Sequence, residues 1–132
     1  MERVYTTPLL DKLGIRPGMR VALIDIEDET FRALLADRTS DVTEGMALPE
    51  TDVVLLGADS TDELAVLPDL RAQIRPNGGI WVVSRKGKAA TMRDVEVMAA
   101  ARASGLVDNK VVAFSATHTS IRLVIPVALR PR

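Results

Sequence analysis

A chain of 132 residues, 47% of them hydrophobic, is long enough to close one core and too short for two ordinary domains. Its formal charge of −1 supplies no global field for nucleic acid or an anionic membrane, and 3% aromatic residues give no stacking platform for single strands. With no cysteine and one histidine, disulfides, thiolate nucleophiles and ordinary zinc sites are excluded. The opening stretch MERVYTTPLLDKLGIRPGMR lacks a continuous apolar segment, and no later run approaches the roughly 20 residues that cross a bilayer, so a soluble cytoplasmic protein is expected.

In chain order, Pro8 to Leu13 suits one or two helical turns with Leu9, Leu10 and Leu13 on one side. Pro17 and Gly18 then make a turn into a strand over Arg20 to Ile26. Asp28 is placed to cap a helix whose Phe31, Leu34 and Leu35 face a sheet, ending near Asp37. SDVTEG, within 40–45, reads as a short strand, and DVVLLG from Asp52 as a strand buried on both faces. Ser60 and Glu63 form a capping box; Pro68 lies too deep for one regular helix, which predicts a kink or two abutting helices. Leu64, Leu67, Leu70 and Ile74 mark their apolar stripe.

RPNGG at 75–79 ends that segment and leads to the strand IWVVSR, followed by a helix from Met92 to Ala103 that Gly105 stops. The last strands, KVVAFS and SIRLVIPV, are separated only by ATHT, too few residues for a parallel crossover, so they pair antiparallel. Strands alternating with amphipathic helices predict an α/β domain around a mostly parallel sheet. One domain spans 1–132, with 1–19 as a lead-in and 20–128 as the core.

The order of LRAQIRPNGGIWVVS, helix, SGLVDNKVVAFS and a closing antiparallel strand resembles the C-terminal half of class I S-adenosylmethionine-dependent methyltransferases. The chain is also similar to a family of small bacterial proteins of unknown function built like a trimmed methyltransferase core. That resemblance rests on Thr7 to Leu9, Lys12 to Ile15, Pro17 to Leu23, Leu67, Leu70, Arg71, Pro76, Gly78, Trp81, Val82, Lys86, Gly105 to Asp108, Lys110 and Val111. His118 departs from it, standing where the family carries tryptophan. The resemblance implies a three-layer α/β/α Rossmann-like fold with strand one beside DVVLL and the last strand antiparallel; it implies no established activity.

The methyltransferase resemblance implies S-adenosylmethionine, which those enzymes cradle on a glycine-rich turn after strand one, where backbone approaches ligand closely, but the residues of this chain disfavour it and no cofactor is assigned. Here IDIEDE follows instead, with no glycine between Gly18 and Gly45. Its acids disfavour a phosphate-bearing dinucleotide; a sulfonium with an ammonium group tolerates them. Asp41 or Glu44 is the available acid for a ribose. The plain reading of Asp25, Glu27, Asp28 and Glu29 is a first helical turn favouring negative charge; the functional one is a crevice where Asp25 or Asp28 holds a cation or hydroxyl. Arg85, Lys86 and Lys88 around Gly87 form either a solvated loop or an anion-binding one. Trp81 reads as core, or as a ring against an adenine, and His118 as an exposed turn residue.

The candidate ligand-binding set is Asp25, Asp28, Gly57, Asp59, Ser84 and Lys86, with no catalytic residue and no metal site assigned. The expected function is binding: a regulatory or interaction module keeping a small-ligand pocket. The alternatives are a methyltransferase or other small-molecule enzyme with a degenerate pocket, or a structural subunit of an oligomer. For the last, Leu9, Leu10 and IRLVIPV are the expected exposed apolar patch. Partners are thus a second copy, a protein or a small molecule, with neither nucleic acid nor membrane.

Overall fold

The computed structural model describes residues 8–131; Thr7 and the rest of the lead-in before Pro8 lie outside the described residues. Six strands form one sheet: β1 (Val21–Ile24), β2 (Val42–Glu44), β3 (Thr51–Gly57), β4 (Ile74–Arg85), β5 (Val107–Ala113) and β6 (His118–Val124). Their order is β2-β1-β3-β4-β6-β5, parallel from β2 to β4, with β6 antiparallel to both β4 and β5. This is a Rossmann-like, methyltransferase-like α/β architecture, with the closing strand inserted where the resemblance implied.

Four helices cover the two faces: α1 (Leu9–Lys12), α2 (Glu29–Arg38), α3 (Leu67–Gln73) and α4 (Asp94–Ala103). On one face Leu10, Leu13, Phe31 and Leu35 pack on Val21, Leu23, Val53, Leu55, Trp81 and Val83. On the other, Leu64, Leu67, Leu70, Val97 and Ala101 pack on Val54, Leu56, Ile80, Val82, Ile121 and Leu123. Central strands buried on both faces read as unbroken apolar runs, which is why they were legible. Among the described residues no helix is long and apolar enough to cross a membrane.

The Asp28 carboxylate accepts from the Phe31 N–H at 3.0 Å, capping α2 as expected. Replacing Asp28 by alanine is expected to cost about 1 kcal/mol in a urea melt. Leu34, expected against the sheet, is 46% exposed. At 100° per residue Phe31 and Leu35 share the inward line, and Leu34 swings off it. Two segments abut, a 3-10 turn over Asp62–Val66 and then α3, whose first turn holds Pro68, where its missing N–H costs no helical bond. The Glu63 carboxylate reaches back to the Asp59 N–H at 2.8 Å, one residue before Ser60.

RPNGG is extended and belongs to β4 itself, which starts at Ile74. Between β3 and β4 the register jumps from Thr51 opposite Ile74 to Val53 opposite Gly79. The Arg75 Nε sits 2.9 Å from the Asp52 carboxylate, and a Cβ on Gly78 would stand 2.8 Å from the Asp52 carbonyl oxygen. A cation and a missing side chain therefore lay this segment against β3. The expected exposed patch is also corrected: Leu10, Ile121, Leu123, Val124 and Ile125 are buried. The exposed large apolar residues include Val111 on edge strand β5, Val127 and Leu129.

Candidate functional site

At the carboxyl ends of β1, β3 and β4 a crevice of about 410 Å³ opens, lined among others by Asp25, Asp28, Gly57, Asp59, Arg85 and His118. Its shape starts at Asp25, which takes φ +58°, a left-handed conformation that few residues other than glycine adopt and that aspartate tolerates. The tight turn is therefore made by an aspartate. Its backbone presses on β3, where a Cβ on Gly57 would stand 2.2 Å from the Asp25 carbonyl oxygen. Glycine is needed here, on the neighbouring strand, so that the β1 loop can approach.

Ile26 turns inward and is buried, while Asp25, Glu27 and Asp28 are exposed toward the crevice. Phe114 lines it as well and meets Phe31 at 4.8 Å between ring centroids, tilted by 46°. Three of the five lining carboxylates are committed. Asp28 caps α2, Glu63 accepts from the Asp59 N–H, and Asp59 accepts from the Arg85 N–H at 2.9 Å with the Arg85 Nε at 3.8 Å. Asp25 and Glu27 make no side-chain hydrogen bond among the described residues. Against these stands one guanidinium, so the crevice favours positive charge.

His118 is the first residue of β6, opposite Arg85, and not a turn residue. Its Nδ1 lies 2.8 Å from the Thr117 hydroxyl, itself 3.3 Å from that of Ser115, whose oxygen also accepts from the His118 N–H. This hydroxyl cluster closes the hairpin and fixes the ring. Of the expected residues, Asp25, Asp28, Gly57 and Asp59 come together in the crevice. Ser84 is buried on the opposite face from Val83, and Lys86 stands beyond the lining, its N–H donating to the Thr117 carbonyl at 3.0 Å. The site also gains Arg85 and His118, which the register of β4 with β6 brings together, and Phe114 and Thr117 from the connection of β5 to β6.

A second depression, about 530 Å³, lies across the Asp25 turn toward β2 and is lined by Glu29, Arg32, Glu44 and Gly45. Glu44, one of the two acids available for a ribose, is ion-paired with Arg32, and this hydrogen bond raises the arginine pKa above its usual value. Asp41 is held by the Arg20 Nε at 3.1 Å. Among the described residues no cluster of three or more acids and histidines suits a metal ion.

A family profile described as "Protein of unknown function (DUF3052)" matches residues 10–127. The chain belongs to this family. No curated relative matches it in sequence. Solved structures with this fold include the CcbJ methyltransferase from Streptomyces caelestis, at 9% identity and TM-score 0.64, covering 89% of this chain and 87% of that one. A SAM-dependent methyltransferase from Aquifex aeolicus aligns at 13% identity and TM-score 0.57, covering 89% and 87%. Against the mitomycin 7-O-methyltransferase MmcR the values are 17% and 0.54, and the chain spans 80% of itself but 42% of that enzyme. At such identities the likeness is one of fold.

The residues present do not reproduce a glycine cradle for S-adenosylmethionine. The turn after β1 carries the Asp25 side chain where bare backbone would meet the ligand, and the acid at the end of β2 is engaged by Arg32. What this DUF3052 member has at the carboxyl edge is an acidic crevice.

Proposed function

We propose that the chain is a non-catalytic binding module that takes a small organic cation or zwitterion in the carboxyl-edge crevice, as a regulatory or interaction protein. The observation that carries this reading is the charge of the lining: five carboxylates, with Asp25 and Glu27 uncommitted among the described residues, against one arginine, beside the apolar ring of Phe114. A volume of about 410 Å³ falls within the usual span of roughly 300–1,000 Å³ for small-molecule sites. Among the described residues the His118 ring has a hydroxyl neighbour and no carboxylate in hydrogen-bond reach to orient it, which favours binding over proton transfer.

The test is calorimetric titration of the purified protein with S-adenosylmethionine and S-adenosylhomocysteine, extended to a panel of small organic cations. A charge-reading crevice binds the sulfonium compound more tightly, by roughly fivefold or more for one screened charge. A cradle that reads the adenosyl group binds both alike. Asp25→Asn, which keeps a residue tolerant of the left-handed backbone, and Glu27→Gln are each expected to weaken cation binding several-fold. Equal affinity for the two compounds, or for wild type and both variants, would sink the charge argument. Methyl transfer to an acceptor would instead establish the enzyme reading.

A further inference from the structure

A second cavity, of about 240 Å³, lies at the opposite, amino-terminal edge of the sheet and is lined among others by Lys12, Arg16, Lys110, Arg122, Asp11 and Asp52. Its two acids are already neutralised from outside that set. Asp11 pairs with Arg38 at 2.8 Å, and Asp52 pairs with Arg75 at 2.9 Å while also accepting from the Arg20 N–H. Four cations remain with no acid of their own in the cavity.

Arg122 is the informative one. It is half-buried on β6, yet its guanidinium makes neither an ion pair nor a hydrogen bond among the described residues, whereas the other half-buried arginines without an ion pair, Arg71 and Arg130, donate to the Gly105 and Ile125 carbonyls. Its guanidinium lies over the backbone of Gly79, where an added Cβ would stand 2.7 Å from Nε, so the strand omits a side chain to seat it. Lys110 is its direct cross-strand partner, and like charges placed opposite each other destabilise a sheet. The Lys110 ammonium is further held in place by the Lys12 carbonyl at 3.1 Å. Burial pushes the Arg122 pKa down, and the charge of Arg130 acts in the same direction. Two facing cations, one of them partly desolvated, are an arrangement that folding alone does not reward and that an anion would relieve.

We infer that this amino-edge cavity is a binding site for a phosphate-class oxyanion, with Arg122 as the forked donor and Lys110, Lys12 and Arg16 supplying charge. Guanidinium geometry matches two oxygens of such an anion, and the cavity accepts a group of that size with little attached. The site is separate from the carboxyl-edge crevice in position and opposite to it in charge.

The experiment is titration of the full chain with inorganic phosphate, and in parallel with glycerol 3-phosphate, at constant ionic strength, following the backbone amide resonances of Gly78, Gly79 and Lys110. Saturable shifts centred on these residues are expected with both probes, and the tighter one tells whether the anion is free or carried on a small molecule. Arg122→Gln is expected to weaken binding by about tenfold or more. Lys110→Ala, at an exposed position that leaves the core intact, is expected to do the same, while Lys86→Ala and Asp25→Asn keep wild-type affinity. The proposal is overturned if neither probe saturates at millimolar concentration, if Lys110→Ala binds like wild type, or if the shifts centre on Lys86 and vanish in Lys86→Ala.

Discussion

Replacing Gly57 by alanine is expected to destabilise the protein by about 3 kcal/mol, at the upper end of the overpacking range, and to lower Tm by roughly 10 °C. The added Cβ would stand 2.2 Å from the Asp25 carbonyl oxygen, and both partners are backbone, so no rotamer change relieves the clash. Relief needs the end of β1 to move away from β3, breaking the pairing of Ile24 with Leu56. Two controls separate this from a general dislike of alanine. At Gly45, φ is +78° and nothing lies within 4 Å of a built Cβ, so Gly45→Ala carries only the left-handed penalty, about 1–2 kcal/mol. Asp25→Gly removes that penalty at the turn itself and is expected to be neutral or slightly stabilising. Thermal and urea melts followed by circular dichroism test the order; Gly57→Ala melting with Gly45→Ala would show that the Asp25 loop yields.

Whether an element was legible in the sequence depended on how local its cause is. Val21 to Leu23, Val53 to Leu56 and Ile80 to Val83 are buried in local apolar runs, and Asp28 caps α2 through a bond three residues away, so each was readable. The extended course of Arg75 to Gly79 was not, because its cause lies at Asp52 on another strand. The same holds for the start of β6 at His118, two residues before the apolar run that marks it. Short antiparallel pairs are extended by partner hydrogen bonds that the sequence does not announce.

In the candidate site, Asp25, Gly57 and Asp59 were legible because ligands in open α/β sheets gather at carboxyl strand ends. Ser84 was not separable from Val83: a strand buried on both faces shows no alternation to tell which residue looks up. Arg85 and His118 entered through the β4–β6 register and Phe114 through the β5–β6 connection, which only the three-dimensional pairing fixes. Glycine was the more instructive case. Its absence from IDIEDE predicted a lost cradle, whereas the fold moved the glycine to β3 and left the left-handed turn to an aspartate.

Trp81→Phe is expected to cost about 2–4 kcal/mol, combining a cavity with a buried carbonyl left without its donor. Trp81 is 1% exposed, and its indole N–H donates to the Leu13 carbonyl at 3.0 Å. Four residues of α1 cannot hold a helix by themselves, so this bond and the packing of Leu10, Leu13 and Ile15 fix the lead-in on the sheet. The loss should therefore be uneven. Hydrogen exchange of the Leu13 and Ile15 amides, bonded to the Leu9 and Leu10 carbonyls at 2.9 Å each, is expected to accelerate more than that of the β3 amides. Equal acceleration in both places would mean that Trp81 supports only the global core. Trp81 also faces Arg122 across β4 and β6 and lines the amino-edge cavity, which α1 closes with Asp11 and Lys12. A lead-in loosened at Leu13 releases the Lys12 carbonyl that steadies Lys110, so Trp81→Phe is expected to weaken phosphate binding while leaving cation binding at the Asp25 crevice unchanged.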